Sequence, residues 1–145
     1  MTSSAFWAFG SKLQYGDAGT PETFVDIAEV TKIKFSGLDR DDIDVTNHSS
    51  PGGGQETLPG LRKWGEVVVE ANWLPTNATQ NKTTGILASF SDNSYHNFKI
   101  ILPNTLDTIA FSGYISKFDP GELDVKTAGT LSFTVKLASM PTFTY

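Results

Sequence analysis

The side chains that could do chemistry lie close together, in and beside one polar segment. His48 is followed by Ser49 and Ser50, the residue types of a catalytic base and its nucleophile. A hydrolase would also need a carboxylate to orient the histidine and an oxyanion hole, and the sequence contains no G-x-S-x-G motif. A glycine-rich loop is a poor platform for such geometry. A polar loop histidine is therefore the favoured interpretation, and no catalytic residue is predicted.

An acidic run precedes this segment and supplies the carboxylates that calcium accepts. An EF-hand loop beginning at Asp39 would need glycine at its sixth position and glutamate at its twelfth, where the chain has Asp44 and Ser50. The three glycines after Pro51 are followed neither by a G-K-[ST] sequence nor by a helix start, so they do not form a phosphate-binding loop. The sequence predicts no metal site and no cofactor.

The composition excludes several classes of protein. The chain has 145 residues with no cysteine and two histidines, which rules out disulfides, zinc clusters and thiol catalysis. Its net charge of −5 disfavours nucleic-acid binding through a large basic face. The apolar run at residues 5–9 is too short for a signal-peptide core, and no run approaches the ~20 apolar residues of a membrane span. One domain over residues 1–145 is expected at this length.

Alternation of apolar and polar residues is the strongest structural signal, and it predicts strands with one buried face. Four segments show this alternation clearly. Two further strands are predicted, a longer one over residues 24–35 and a short one over residues 42–46. The alternating positions expected to be buried are Leu131, Phe133, Val135 and Leu137; Ile109, Phe111, Gly113 and Ile115; Phe98, Ile100 and Leu102; and Val67, Val69, Ala71 and Trp73.

One helix is predicted, within Thr76–Phe90, because Ile86, Leu87 and Phe90 form an apolar stripe at helical spacing. Thr76 or Asn77 could cap its first turn. Six or seven strands with a single helix indicate a mostly β fold, a β-sandwich or barrel with one flanking α-helix.

The segment Thr46–Lys63 differs from the strands around it. It contains four glycines and two prolines, and its only aliphatic residues are Leu58 and Leu61. Such a segment buries too little apolar surface to offset its own ordering entropy, so a long mobile loop is predicted that orders only against a partner.

Aromatic residues mark a second candidate contact. Trp73 falls in the alternating pattern and is expected in the core, whereas Trp64 follows the loop and is expected at an interface. Phe6, Trp7 and Phe9 crowd the N-terminal segment, which either packs on its own domain or docks on a neighbour.

An ordered set of short motifs extends over nearly the whole chain. In order, the motifs are Phe9-Gly10-Ser11-Lys12-Leu13 with Gly16-Asp17, Ala28-Glu29-Val30-Thr31, Asp44-Val45-Thr46 with His48 and Pro51-Gly52-Gly53, Leu58-Pro59-Gly60-Leu61 with Gly65-Glu66-Val67, Asn97-Phe98-Lys99-Ile100, and Phe111-Ser112-Gly113-Tyr114. With this set the chain resembles the tail tube proteins (major tail proteins) of long, non-contractile-tailed bacteriophages. The aromatic N-terminus and the third glycine, Gly54, depart from the pattern.

The resemblance implies a phage tail tube fold and a structural role, not an enzymatic one. In that family, subunits form hexameric rings that stack head to tail into a hollow tube, which conducts DNA into the host. Inner strands of neighbouring subunits join into one β-barrel around the lumen, and a mobile loop docks on the adjacent ring. If the charge of −5 per subunit faced the lumen, it would repel phosphate and let DNA slide.

The resemblance also implies partners and places. Besides copies of itself, the chain would meet a tape measure protein, a tail terminator and distal tail proteins, with DNA passing transiently and no membrane bound. It would be found in the virion after assembly in the host cytoplasm. The residues predicted for ring stacking are Asp41, Asp42, Asp44, His48, Pro51, Gly52, Gly53, Gly54, Leu58, Leu61, Arg62, Lys63 and Trp64, with Arg62 and Lys63 opposing acids of the next ring.

Three alternatives remain open from the residues alone. A carbohydrate-binding β-sandwich could use Trp64, Trp73 or Tyr95 as a stacking platform. A hydrolase could use His48 with Ser49 or Ser50. The tube protein of a contractile tail or a secretion system would share the expected architecture.

Overall fold

A computed structural model describes residues 5–16, 21–92, 94–103 and 107–144. Asp17, part of the first motif, lies outside the described residues. The strands are β1 (Lys12–Gly16), β2 (Phe24–Asp26), β3 (Val30–Ser36), β4 (Asp39–Asp44), β5 (Thr57–Lys63), β6 (Glu66–Asn72), β7 (His96–Ile101), β8 (Thr108–Pro120), β9 (Thr130–Leu137) and β10 (Thr142–Thr144), and the helix is α1 (Ile86–Ser91).

One long strand organises the body of the protein. The eight-stranded antiparallel sheet has the order β2-β1-β7-β8-β9-β6-β3, with β10 also paired to β8. The first half of β8 pairs with β7 through Gly113, and its second half pairs with β9 from Gly113 onward, with a bulge between Ile115 and Lys117. The sheet therefore has two parts that share β8, and we call the part made of β8, β9, β6 and β3 the four-stranded sheet.

The core lies on one face of this sheet. Phe98 of β7 stacks on Phe111 of β8, and Phe35 of β3 meets Phe111 edge to face, with ring centroids 6.4 Å apart. β3 lies at the far end of the strand order from β7, so this contact shows that the sheet curls round one shared core. The other buried apolar residues include Leu13, Val67, Val69, Leu131, Phe133 and Val135.

The alternation correctly identified β6, β7, β8 and β9, whose predicted positions are buried or packed against the core. The strand predicted over residues 24–35 is instead two strands, because the chain turns at Glu29, which has a φ of 51°. The predicted helix is also wrong in extent. Residues 75–85 form turns, and α1 begins after Gly85, which is its N-cap and makes no side-chain capping bond.

Polar side chains hold those turns together. Asn81 Oδ1 accepts hydrogen bonds from the backbone N–H groups of Thr83, Thr84 and Gly85. Gln80 is 1% exposed, and its amide bonds three backbone groups. It accepts from Leu74 N–H at 2.8 Å and donates to the carbonyls of Ala28 and Asn72 at 2.9 and 3.0 Å. Gln80 thus ties the turn segment to the ends of two strands.

A two-stranded ribbon, β4 paired with β5, extends the β3–β6 hairpin, and we call residues 39–63 the arm. The expectation of a structureless loop over Thr46–Lys63 is therefore wrong for its last seven residues, which form β5. The predicted short strand exists as β4 but starts and ends earlier, over Asp39–Asp44.

The arm joins the body where two glycines cross. Gly37 and Gly65 have φ angles of +93° and +83°, which favour glycine. A Cβ on Gly37 would lie 2.8 Å from the Cα of Gly65, and a Cβ on Gly65 would overlap the carbonyl oxygen of Ser36. The chain crossing therefore needs glycine at both positions.

Candidate assembly surfaces

The tip of the arm, residues 45–56, is bonded to itself. Ser50 is nearly buried, receives a hydrogen bond from Asn47 N–H at 2.9 Å and donates one to Glu56 Oε2 at 2.9 Å. Hydrogen bonds from Thr46, chiefly that of its side chain and then that of its backbone N–H, lower the pKa of Asp44 below its ordinary value. These bonds give the tip a defined conformation, and its mobility in the free subunit stays a prediction.

The arm carries exposed apolar side chains. Ile43 lies directly opposite Leu58, and these side chains are 50% and 52% exposed. Leu61, on the same strand as Leu58, is 81% exposed. A two-stranded ribbon has no core of its own and is only marginally stable alone. The exposed apolar face of the arm is therefore the surface with most to gain from a partner.

The cations predicted to oppose acids of another copy already have partners in their own chain. Lys63 Nζ lies 3.1 Å from Asp41 Oδ1, across the two arm strands. The Arg62 guanidinium lies 5.0 Å from the centre of the Trp64 ring. Trp64 packs against the core, so it forms the base of the arm instead of the free aromatic surface predicted for it. Both cations therefore have partners within their own chain, although the Lys63–Asp41 pair is exposed and contributes little to stability.

The sequence-predicted stacking residues all lie in the arm or at its base. Asp41, Asp42 and Asp44 are on β4, and Leu58, Leu61, Arg62 and Lys63 are on β5. The tip holds His48 and Gly54, together with a short 3-10 turn over Pro51–Gly53. Ile43 was not singled out from the sequence. Had β5 been recognised as a strand, the pairing of Ile43 with Leu58 would have pointed to it.

The four-stranded sheet leaves two strand edges open. Among the described residues, β3 pairs with β6 alone, and β8 pairs over Tyr114–Pro120 with β9 alone. Unpaired edges carry free backbone N–H and C=O groups that favour pairing with another chain.

The outer face of the four-stranded sheet, opposite the core, carries both signs of charge. Lys32 Nζ lies 4.0 Å from Glu70 Oε2, and Lys117 Nζ lies 4.0 Å from Asp119 Oδ2. By strand alternation and register, the charged residues on this face are Lys32, Lys34, Lys117 and Lys136 with Glu66, Glu70 and Asp119. The net negative charge of the whole chain therefore does not come from this face.

An apolar groove of about 860 Å³ opens beside β3. Phe6 and Phe9 of the N-terminal segment line it, together with Ile33 and Phe35. The rings of Trp7 and Phe9 stack with centroids 4.9 Å apart, and both remain exposed. The N-terminal segment therefore lies on its own chain yet offers aromatic surface outward.

The structure gives little support to the hydrolase and the carbohydrate-binding module considered from the sequence. His48 lies in an exposed turn, and no hydrogen bond of its ring appears among the described residues, while the Ser50 hydroxyl donates to Glu56 instead. Trp64 and Trp73 pack against the core, so they do not form an open platform with Tyr95. The described residues contain no group of three or more metal-ligating side chains. No helix in the described part of the chain is long and apolar enough to cross a bilayer.

Open strand edges on both sides of one sheet, with exposed apolar side chains on the arm beside them, are surfaces suited to pairing with another chain. The sequence profile described as "Lambda phage tail tube protein, TTP" matches residues 7–143. The chain belongs to this family, and it is a structural subunit of a phage tail tube and a component of the virion. The resemblance drawn from the sequence motifs is confirmed.

Solved structures share the fold. The tail of an empty gene transfer agent particle is 18% identical, with 97% of this chain and 100% of that chain covered and a TM-score of 0.77. The sheath–tube complex of the extracellular contractile injection system PVC is 12% identical, with 97% and 91% covered and a TM-score of 0.72. The SPP1 tail tube is 15% identical, with 93% and 76% covered and a TM-score of 0.67. A search of curated proteins found no match.

Proposed function

We propose that six copies of the chain pair edge to edge into a ring, and that rings stack head to tail into a hollow tube. The observation that carries this proposal is the pair of open edges on the four-stranded sheet. In the ring, β3 of one copy pairs with β8 of the next. Closure of the ring pairs both open edges of the four-stranded sheet, which a single copy cannot do.

The even number of strands in the four-stranded sheet, which alternate in direction, supports closure into a ring. The strands β8, β9, β6 and β3 alternate in direction, so β3 runs opposite to β8. When copies are related by rotation about a ring axis, β3 of one copy is therefore antiparallel to β8 of its neighbour. The antiparallel pattern continues around the ring without interruption.

The outer face of the four-stranded sheet lines the lumen in this arrangement, because the opposite face is filled by the core. Its four lysines and three acids give the lumen mixed charge rather than the acidic lining considered from the whole-chain charge. Because the acids nearly equal the lysines in number and are interspersed with them, the lumen has no continuous basic surface for the phosphate backbone, so DNA passes without stable binding.

The arm makes the contact between rings. Its apolar face, with Ile43, Leu58 and Leu61, is buried against the adjacent ring, while Asp41–Lys63 and Arg62–Trp64 hold its strands in place. Such a head-to-tail contact does not close, and it therefore builds a filament. A tape measure protein, a tail terminator and distal tail proteins set the length and ends of the tube, which assembles in the host cytoplasm before it enters the virion.

Deletion of Ser50–Gly54 is expected to leave a folded protein that no longer forms tubes, because the tip can no longer reach the next ring. Leu61→Asp is expected to act in the same way by placing a charge on the apolar arm face. The measurement is electron microscopy of concentrated protein, with circular dichroism to check folding.

Leu123→Asp is the matched control, since Leu123 is 74% exposed in the turn between β8 and β9 and the change in charge is identical. Normal tubes from the deletion and from Leu61→Asp would contradict the role of the arm. Equal loss of tubes in the Leu123→Asp control would show that added charge alone blocks assembly.

A further inference from the structure

The β3 edge carries lysines and the β8 edge carries one lysine and one acid, and several of these charges have weak or no partners among the described residues. Among the described residues, Lys34 on β3 makes no ion pair. Asp119 on β8 reaches only Lys117 of the same strand, at 4.0 Å and with both side chains more than half exposed. An exposed pair of this kind contributes little to stability. Each edge is therefore free to take a charge from outside.

The register within the sheet places these residues in rows. One row across the four strands runs through Lys34, Val68, Thr134 and Lys117. The next row runs through Lys32, Glu70, Ser132 and Asp119. When β3 of one copy meets β8 of another, the offset between rows decides which charges lie opposite each other.

Only an even shift of β3 of one copy along β8 of the next keeps core residues on the core face and outer residues on the outer face. An offset of one residue would turn core residues of β3, such as Ile33 and Phe35, toward the outer face. With no offset, Lys32 lies opposite Asp119 of the neighbour but Lys34 lies opposite Lys117, so one attraction is cancelled by one repulsion. A closed barrel also requires its strands to tilt, which an unshifted junction does not provide.

An offset of two residues can run in either direction. In one direction Lys32 lies opposite Lys117 of the neighbour, which again sets like charges together. In the other direction Lys34 lies opposite Asp119, and Ser36 lies opposite Lys117, so one attraction forms and no repulsion. Among the offsets of zero and two residues, the charges therefore favour one register.

We propose that neighbouring copies join in this register, with Lys34 of one copy paired to Asp119 of the next. This inference rests on the proposed ring, and it names the residues that set the alignment at each junction. The opposing idea is that the edge lysines only prevent unwanted strand pairing, as charged residues on exposed edges do. The two ideas predict opposite results when Lys34 is changed.

Cysteine pairs read the register directly, because the chain has no cysteine of its own. Residues directly opposite on antiparallel strands have Cβ atoms roughly 4.5–5.5 Å apart, near the reach of a disulfide, whereas diagonal neighbours are too distant. Lys34→Cys with Asp119→Cys is expected to give oxidised tubes that run as a ladder of cross-linked copies up to the hexamer. The matched pair, Lys34→Cys with Lys117→Cys, is expected to stay uncross-linked.

Charge exchange tests the pairing itself. Lys34→Glu and Asp119→Lys are each expected to raise the protein concentration needed for tubes by about tenfold, since the unfavourable contact recurs at every junction of a ring. The double variant is expected to return to within about threefold of the unmodified chain. Lys82→Glu, an exposed charge reversal in the turn segment, is the control and should change little.

The outcomes separate this inference from the ring itself. Cross-linking of the Lys34/Lys117 pair, or no rescue in the double charge variant, would overturn the register while tubes still form. Faster, disordered aggregation of the neutral variant Lys34→Ser would favour the protective role of the lysine and overturn the pairing, because Lys34→Glu would still keep a charge on the edge. Failure of the unmodified chain to form rings or tubes would count against the proposed function, and the register would fall with it.

Discussion

Replacing Gln80 by leucine is expected to lower the free energy of unfolding by about 3 kcal/mol or more, because it leaves three backbone groups without partners. The amide of Gln80 bonds Leu74, Ala28 and Asn72 in a place that water barely reaches. Leucine has a similar size, so the loss comes from unpaired polar groups and not from an empty space. Urea unfolding followed by tryptophan fluorescence measures the change.

Gln14→Leu is the matched control for this prediction. Gln14 lies on β1 and donates one hydrogen bond to the exposed Asp26 at 2.6 Å, so water can replace its partner. Its loss is expected to cost less than about 1 kcal/mol. Similar costs for the two substitutions would mean that Gln80 does not hold the turn segment as described.

Gly65→Ala is expected to destabilise the protein by about 3 kcal/mol, through a left-handed backbone and a clash together. The new Cβ would overlap the carbonyl oxygen of Ser36 and lie 2.7 Å from the carbonyl carbon of Gly37, and both are backbone atoms that cannot step aside. The crossing strands would have to separate at the base of the arm. Urea unfolding gives the stability, and electron microscopy shows whether tubes still form.

Gly52→Ala separates the two causes. Gly52 also has a positive φ, of +62°, but a Cβ there meets nothing within 4 Å. Its cost is expected to be about 1 kcal/mol, from the backbone conformation alone. If Gly65→Ala costs no more than Gly52→Ala, the close crossing at the base of the arm is not needed.

The body of the fold was predictable because it obeys one simple rule. Strands such as β9 bury one face and expose the other, so Leu131, Phe133 and Val135 alternate with polar residues. Burial on one side is what makes a period of two visible in a sequence. The family resemblance rested on motifs spread over the same strands and the turns between them.

The arm escaped prediction because it has no core. All residues of β4 and six of the seven residues of β5 are exposed, so nothing selects an alternating pattern, and Pro59 and Gly60 are typical of loops. The short helix failed for a related reason. Its six residues follow turns held by Gln80 and Asn81, and Gln80 acts in part through Ala28, which lies 52 residues away in the sequence.

The role of the candidate assembly residues in ring stacking stays a prediction. The predicted segment does form the arm, but Lys63 and Arg62 bind Asp41 and Trp64 of their own chain. The edge residues Lys34 and Asp119 carry no signal in a single sequence, because an exposed charge on a strand is unremarkable until the unpaired edge is known.

The central claim is that this chain carries, by itself, the edges and the arm that build a tube. The most direct test is sedimentation of the purified protein over a wide range of concentrations, with negative-stain microscopy of the heaviest fractions. We expect six-fold rings and hollow tubes above a threshold concentration. A protein that remains monomeric up to its solubility limit, or that forms only closed dimers, would contradict it.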